Sequence, residues 1–266
     1  MAKQIKYFLL ALGFFTRLPV PHYSDFKESY LDQSAKFFPL IGTIVGFIGA
    51  LSFYLTSLIF PQALAVIISM AITIYITGSF HEDGLADSAD GMGGGYERKH
   101  ILIIMQDSRL GTYGVIALII MLLAKFQTLN ALNSVVVPAV LIVGHTVSRL
   151  SAIWIMATLN YVKSEGKAKP LATGINGKHL LMANFFGLMP FIIIIAFLFM
   201  AHHSVLSVIQ FILLTLLPMC ISFSWWRAKI KRYLGGYTGD TLGAMQQITE
   251  LAFYMGVLAW VATLNN

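Results

Sequence analysis

An acidic stretch in the first half of the chain contains the residues best suited to chemistry. Six of the twelve acidic residues fall between positions 82 and 107, and the stretch begins His81-Glu82-Asp83-Gly84-Leu85-Ala86-Asp87-Ser88-Ala89-Asp90-Gly91. If this stretch is helical, Asp83, Asp87 and Asp90 are spaced i, i+4, i+7 and share one face. Three like charges on one face destabilise a helix, so a cation should compensate them.

A divalent metal ion is the cation that such a face favours. Mg²⁺ prefers carboxylate oxygens, and it usually binds one or two carboxylates together with waters and substrate phosphates. We therefore predict a Mg²⁺ site at Asp83, Asp87 and Asp90. The sequence has neither the alternating acids of a calcium loop nor the His and Cys spacing of a zinc site. The alternative is a solvated acidic loop that binds nothing.

Glycines and an acid–arginine pair follow at positions that suit a phosphate-bearing ligand. The triplet Gly93-Gly94-Gly95 permits close approach of the backbone to a ligand, although a plain flexible turn explains it nearly as well. Asp107 and Arg109 are candidates for a further acidic ligand and a phosphate-binding guanidinium. A surface ion pair is the alternative for these two residues.

Two further segments carry candidate anion contacts. His145 and Arg149 are four apart within an apolar run, where ionisable groups usually face a polar cavity. We expect Arg149 to contact phosphate, and the alternative is an arginine at the membrane interface. His145 is explained equally well as a hydrogen-bonded histidine in the protein interior. In the glycine-rich segment Gly235–Gly243, backbone N–H groups at Gly236 and Gly239 could bind an anion, and Asp240 could bind metal or orient a nucleophile.

The composition indicates that these residues are positioned by membrane-spanning helices. Hydrophobic residues make up 57% of the 266 residues and charged residues 11%, with a mean hydropathy of +0.75, whereas a soluble domain carries about 25% charged residues. A span needs about 20 apolar residues. We predict an all-α bundle with seven spans, at 37–60, 62–80, 111–129, 135–155, 181–201, 204–223 and 248–264.

The basic residues predict the orientation of this bundle. Of the 18 lysines and arginines, 17 fall on one side of the seven-span map, and we expect the exception, Lys125, to extend towards the opposite interface. Positive loops stay in the cytoplasm. We therefore predict a single transmembrane domain over 1–266, with a cytoplasmic N-terminus, an external C-terminus and cytoplasmic active-site loops at 81–110, 156–180 and 224–247. The basic excess then reports topology and does not indicate nucleic acid.

These features together favour a Mg²⁺-dependent membrane transferase that acts on a diphosphate. In such a reaction metal ions neutralise phosphate charge, and catalysis depends on positioning and electrostatics. A transporter is the competing class, but carriers place their sites near mid-membrane, whereas these acids lie outside the spans. A structural membrane protein has no use for the acidic cluster.

Five short motifs extend over most of the chain, from about residue 10 to 250. They are Thr16-Arg17-Leu18-Pro19-Val20-Pro21, Phe38-Pro39-Leu40-Ile41-Gly42, Gly78-Ser79-Phe80 with the acidic run to Gly91, Met105-Gln106-Asp107-Ser108-Arg109-Leu110-Gly111, and Gly235-Gly236-Tyr237-Thr238-Gly239-Asp240. The chain resembles the cobalamin synthase family, the adenosylcobinamide-GDP ribazoletransferases, in these motifs. The acidic motif is the most specific of them.

The resemblance implies the substrates, the location and a role for each candidate residue. Adenosylcobinamide-GDP would react with α-ribazole or its 5′-phosphate at the inner membrane of the cell, giving adenosylcobalamin or its 5′-phosphate and GMP. The implied metal ligands are Glu82, Asp83, Asp87, Asp90 and Asp107, the implied catalytic carboxylates are Asp83, Asp87, Asp90 and Asp240, and the implied substrate contacts are Arg109, Arg149, Gly94, Gly95, Gly236 and Gly239.

Other membrane enzymes remain as alternatives at this stage. A CDP-alcohol phosphotransferase would open its acidic motif with D-G-x-x-A-R, which Asp83-Gly84-Leu85-Ala86-Asp87-Ser88 does not match, and a prenyltransferase would carry a second, fuller acidic cluster. We expect the lipid membrane and the two small-molecule substrates as partners, and no nucleic acid. A homo-oligomer is compatible with the sequence.

Overall fold

The computed structural model describes residues 2–21, 29–162 and 175–264, and this part of the chain is almost entirely helical. The α-helices are α1 (Ala2–Phe15), α2 (Ser29–Ser34), α3 (Phe38–Ser57), α4 (Gln62–Thr77), α5 (Phe80–Gly94), α6 (Arg98–Ile104), α7 (Thr112–Asn130), α8 (Val137–Thr158), α9 (Gly177–Met200), α10 (Val205–Leu234) and α11 (Gly239–Leu264). A 3-10 turn, Ala35–Phe37, leads directly into α3.

The predicted bundle of about seven spans is confirmed. Six helical segments in the described part of the chain are long and apolar enough to cross a membrane: α3 with its preceding 3-10 turn, α7, α8, α9, α10 and α11. The helices α4 and α5 pass the same test as a bent pair, which brings the number to seven.

The predicted loop over 224–247 is wrong, because most of it is helix. In α10, Trp226, Ile230 and Leu234 are spaced four apart and buried, so one stripe of the helix faces the core well beyond residue 223. α11 begins at Gly239 because Thr238 and Thr241 cap each other. The Thr241 N–H donates to the Thr238 hydroxyl at 3.2 Å, and the Thr238 N–H donates to the Thr241 hydroxyl at 2.9 Å.

The two other predicted loops have different outcomes. The segment 81–110 contains α5 and α6, so it is largely helical and not a loop. The segment 156–180 includes the end of α8 and the start of α9, and its central residues 163–174 lie outside the described part of the chain.

A sharp bend places the acidic helix across the end of α4. Gly78 has φ +67° and ends α4 in the left-handed conformation, and Ser79 follows at φ +60°. Glycine adopts this conformation without steric penalty, which is why it commonly ends helices. The angle between α4 and α5 is 86°, so α5 leaves the direction of the span and packs against α7 and α11.

α8 lies at the centre of the bundle, and glycines bring its neighbours close. On α3, a Cβ at Gly42 would collide with the His145 carbonyl, and one at Gly46 would lie 2.7 Å from the Ile142 Cα. Small residues four apart allow helix backbones to approach closely in membrane proteins. The contact fixes α8, and with it His145 and Arg149, at the centre of the bundle.

Candidate active site

The acidic face predicted from the sequence is present on α5. Asp83 is exposed, Asp87 is half-buried, and Asp90 retains 9% of its accessible surface. Because the three residues share one face of a regular helix, the carboxylates follow a line from solvent into the protein.

Asp90, at the inner end of this line, caps a neighbouring helix. Its two carboxylate oxygens accept hydrogen bonds from the backbone N–H groups of Gly111 and Gly114, each at 2.8 Å, in the first turn of α7. A Cβ at either glycine would collide with this carboxylate. Helix N-termini leave N–H groups unsatisfied and attract negative charge. Asp90 therefore attaches α5 to α7, whatever further ligand it binds.

Asp240 joins the acidic helix from the first turn of α11. Its Cα lies 3.0 Å from the position that a Cβ on Gly84 would take, so the two helices touch at this point. Its Oδ2 accepts a hydrogen bond from the Thr238 hydroxyl at 3.2 Å. Burial, and secondly the negative charge of Asp240, raise the pKa of the Tyr161 phenol. The structure thus brings Asp240 beside α5, as the sequence reasoning required.

Asp107 and Arg109 form a surface ion pair. Arg109 Nη2 lies 2.6 Å from Asp107 Oδ2, with side chains 88% and 37% exposed respectively. Hydrogen bonds from the Arg109 guanidinium lower the pKa of Asp107 to about 2. Each side chain already has the other as its charged partner. A phosphate would therefore have to displace Asp107 in order to bind Arg109.

The candidate glycines have different surroundings. A Cβ at Gly236 would collide with the Asn160 carbonyl, and one at Gly95 would lie 2.8 Å from the Gly91 carbonyl oxygen, so both glycines allow close backbone packing. Gly94 is exposed, with only the Ile104 side chain near the position of a Cβ. Gly94 therefore has the open surroundings that a ligand contact needs.

Arg149 is buried, which removes the interfacial alternative. It retains 3% of its accessible surface, and its Nη1 donates to the His145 carbonyl oxygen at 2.9 Å. Its Nε has no hydrogen-bond partner among the described residues. Arg149 lines a mostly apolar cavity together with Phe80 and with Gly239 at the start of α11. Arg149 therefore carries an unsatisfied donor close to the helices of the acidic site.

A cluster of buried charges lies between α7, α8 and α11. Lys125 Nζ is 2.6 Å from Glu250 Oε1, with side-chain exposures of 6% and 3%. His145 Nδ1 is 3.1 Å from Glu250 Oε2. The expectation that Lys125 extends towards the opposite interface is therefore wrong, because an acid on α11 holds it inside the bundle.

Two glutamines connect this cluster to the acidic helix. Gln247 Nε2 donates to Glu82 Oε1 at 2.9 Å, and Gln247 Oε1 accepts from Lys125 Nζ at 2.7 Å. Gln246 donates to the second carboxylate oxygen of Glu250. The chain of contacts therefore runs from Glu82 on α5 to Glu250 in the interior.

Sequence reasoning missed Glu250 and both glutamines. Glu250 is an acid within the predicted span 248–264, and an ionisable residue in a span is by itself a sign of function or of a buried partner. Its partner Lys125 is 125 positions away along the chain. The sequence alone could therefore identify Glu250 as a candidate residue, but it could not show that Lys125 is its partner.

Comparison with known proteins identifies the family. The family model described as cobalamin-5-phosphate synthase matches residues 7–258. The chain belongs to this family. A Shewanella amazonensis protein named adenosylcobinamide-GDP ribazoletransferase is 44% identical over 261 residues, or 96% of each chain. A Ralstonia pickettii protein of the same name is 41% identical over 257 residues, or 95% of each chain. No solved structure matches the chain.

The match to the cobalamin-5-phosphate synthase family includes every candidate residue above, from Glu82 to Glu250.

Within the described residues, no three His, Cys, Asp or Glu side chains are grouped closely enough to hold a metal ion. Mg²⁺ does not require such a group, since it binds one or two carboxylates and completes its shell with waters and phosphates. Asp83, Asp87 and Asp240 are carboxylates of the kind that such an ion binds.

Proposed function

We propose that this chain is a Mg²⁺-dependent adenosylcobinamide-GDP ribazoletransferase of the inner membrane. The names of its relatives support the reaction, at 44% and 41% identity over nearly the whole chain. The contact of the Asp240 backbone in α11 with Gly84 of α5 is the observation that carries the proposal, because it brings a further acidic residue, distant in the sequence, beside the acidic helix.

The proposed reaction breaks a phosphoanhydride bond and forms a phosphate ester. A hydroxyl of α-ribazole, or of its 5′-phosphate, attacks the phosphorus attached to cobinamide and forms a new P–O bond. The bond from that phosphorus to the bridging oxygen breaks, and GMP leaves with the bonding electrons. The hydroxyl proton passes to a carboxylate of the site. The products are adenosylcobalamin, or its 5′-phosphate, and GMP.

The acids and the arginines have different proposed roles, which follow from their surroundings. Asp83, Asp87 and Asp240 would hold Mg²⁺, which when bound neutralises charge on the diphosphate. Arg109 is exposed and can exchange Asp107 for a phosphate oxygen. Arg149 offers a buried Nε donor from the interior side. The metal role of Asp90 remains a prediction beside its capping of α7.

We propose that the site faces the cytoplasm, and the seven-span map supports this because 17 of the 18 basic residues fall on the side of the acidic segment. Seven spans then put the C-terminus outside. Fusion of reporters to the C-terminus tests this: an external reporter should be active, and a reporter that works only in the cytoplasm should be silent.

Release of GMP by the purified protein in detergent or lipid discs tests the reaction. We expect GMP only when adenosylcobinamide-GDP, α-ribazole and Mg²⁺ are all present, and no GMP in chelator. Folded protein that releases no GMP under these conditions would overturn the proposal. Uptake of a substrate into sealed vesicles without GMP release would instead indicate a transporter.

A further inference from the structure

Glu82 faces a different way from the other acids of α5. At about 100° per residue it lies roughly a quarter turn from Asp83 around the helix. Its Oε1 accepts the hydrogen bond from Gln247 of α11, while Asp83 is exposed. The contact therefore fixes which side of α5 faces the bundle and which side faces solvent.

The direction of the Gln247 amide is set by Lys125. A lysine ammonium only donates hydrogen bonds, so the atom 2.7 Å from Lys125 Nζ must be the amide oxygen. The amide nitrogen then points the other way and donates to Glu82 and to the Gln246 side-chain oxygen. Lys125 thus orients the donor that holds Glu82.

Stability alone does not explain why Lys125 and Glu250 form a buried ion pair. Glu250 also accepts a hydrogen bond from the Tyr254 hydroxyl at 3.2 Å and lies 3.1 Å from His145 Nδ1. Replacing a buried ion pair by apolar residues is often neutral or stabilising, so such a pair is weak support for a purely structural role. Ionisable groups within membrane spans point to function by default.

The opposite end of α5 is fixed as well, because Asp90 caps α7 with both oxygens. We propose that Gln247 is a positioning residue, which, anchored by the Lys125–Glu250 pair, sets the rotation of α5 so that Asp83 and Asp87 face the substrate beside α11. This inference rests on the proposed transferase reaction, and it assigns Glu82 to holding the helix.

The matched pair Gln247→Leu and Gln127→Leu tests the proposal, since Gln127 is exposed on α7 and carries the same change. GMP release per folded molecule is measured against Mg²⁺ concentration, well below both melting temperatures. We expect Gln247→Leu to lower kcat roughly tenfold or more, the size of a lost hydrogen bond to a charged group, and to raise the Mg²⁺ concentration that gives half-maximal rate. Gln127→Leu should behave as the wild type.

A merely structural Gln247 would lower the melting temperature but leave kcat and the Mg²⁺ response of the folded fraction at the Gln127→Leu values, which would overturn the inference. If Gln247→Leu does not fold, Glu82→Gln and Glu82→Leu replace it. In Glu82→Gln the new amide oxygen can still accept a hydrogen bond from Gln247, so this variant should keep more activity than Glu82→Leu, and equal losses would refute positioning. A wild type without GMP release would instead refute the proposed function.

Discussion

The acidic face of α5 and the charged cluster beneath it use charge in opposite ways. On the face, Asp83 and Asp87 are four residues apart at and near the surface, so their charges repel. In the cluster, Lys125, His145 and Glu250 come from three helices and lie buried, with Lys125 Nζ and His145 Nδ1 at 2.6 and 3.1 Å from the Glu250 carboxylate. The cluster pairs opposite charges within the protein, whereas the face places carboxylates of like charge side by side near solvent.

This difference decides whether a substitution should lower stability or activity. Removing one partner from the cluster leaves a buried charge without its counterpart, so the free energy of unfolding should fall. Neutralising an acid of the face relieves repulsion, so stability should hold while activity falls. Stability and activity can therefore be measured separately in the two regions.

Lys125→Met should give the largest effect on stability. It leaves Glu250 buried without its ammonium partner, which typically lowers the free energy of unfolding by about 3–5 kcal/mol. Thermal melts in detergent measure the change, with Lys99→Met as the control because Lys99 is exposed. Equal melting temperatures for the two variants would show that the cluster does not stabilise the bundle.

Asp83→Asn and Asp87→Asn should give the largest effect on activity. Each change keeps the shape of the side chain but removes a charged ligand, so we expect turnover to fall on the order of a hundredfold, as when one electrostatic contact to a transition state is lost. Stability without metal should hold or rise. Added Mg²⁺ should partly restore the milder variant.

GMP release against Mg²⁺ concentration, with melts in chelator, tests both parts of this prediction. Glu97→Gln is the matched control, since Glu97 is an exposed acid on the same segment. Wild-type rates and an unchanged Mg²⁺ response in both Asp variants would mean that the face is not the active site.

Asp90 lies on the same face of α5 as Asp83 and Asp87, but like the residues of the cluster it is buried and bonded to other parts of the protein. Asp90→Ala removes both hydrogen bonds to the first turn of α7, so we expect a loss of about 2 kcal/mol in stability, the upper range for a helix cap. Asp90→Asn keeps an acceptor oxygen and should lose less. Melting curves for the two variants decide, and an unchanged melting temperature in Asp90→Ala would contradict the capping role.

Arg149→Lys should lower turnover with little loss of folded protein. Lysine keeps the positive charge near the His145 carbonyl, but an ammonium does not reproduce the planar, multidentate contact of a guanidinium with phosphate. We expect a decrease in kcat of roughly tenfold or more. If Arg149→Lys and Arg149→Ala both retain full activity, Arg149 serves packing alone.

The two regions also differ in how far the sequence could reveal them. The spans and the face of α5 depend on neighbours along the chain, so apolar runs and i, i+4, i+7 spacing predicted them. The Lys125–Glu250 pair joins residues 125 positions apart, and the capping of α7 by Asp90 joins residues 21 and 24 apart. Such contacts depend on how helices pack, which is why the sequence predicts the wrong surroundings for Lys125.

Asp107→Asn should give the smallest effect, because its ion pair with Arg109 is exposed and screened by salt. The pKa of Asp107 is lowered to about 2, so the pair stabilises the fold above the ordinary carboxyl pKa of about 4 and this contribution disappears as the pH falls towards 2. Melting temperatures of wild type and variant should differ slightly at pH 7 and converge on acidification or in high salt. A variant as unstable as Lys125→Met would place Asp107 with the buried cluster. A loss of Mg²⁺ response like that of Asp83→Asn would give Asp107 the role predicted for the acidic face of α5.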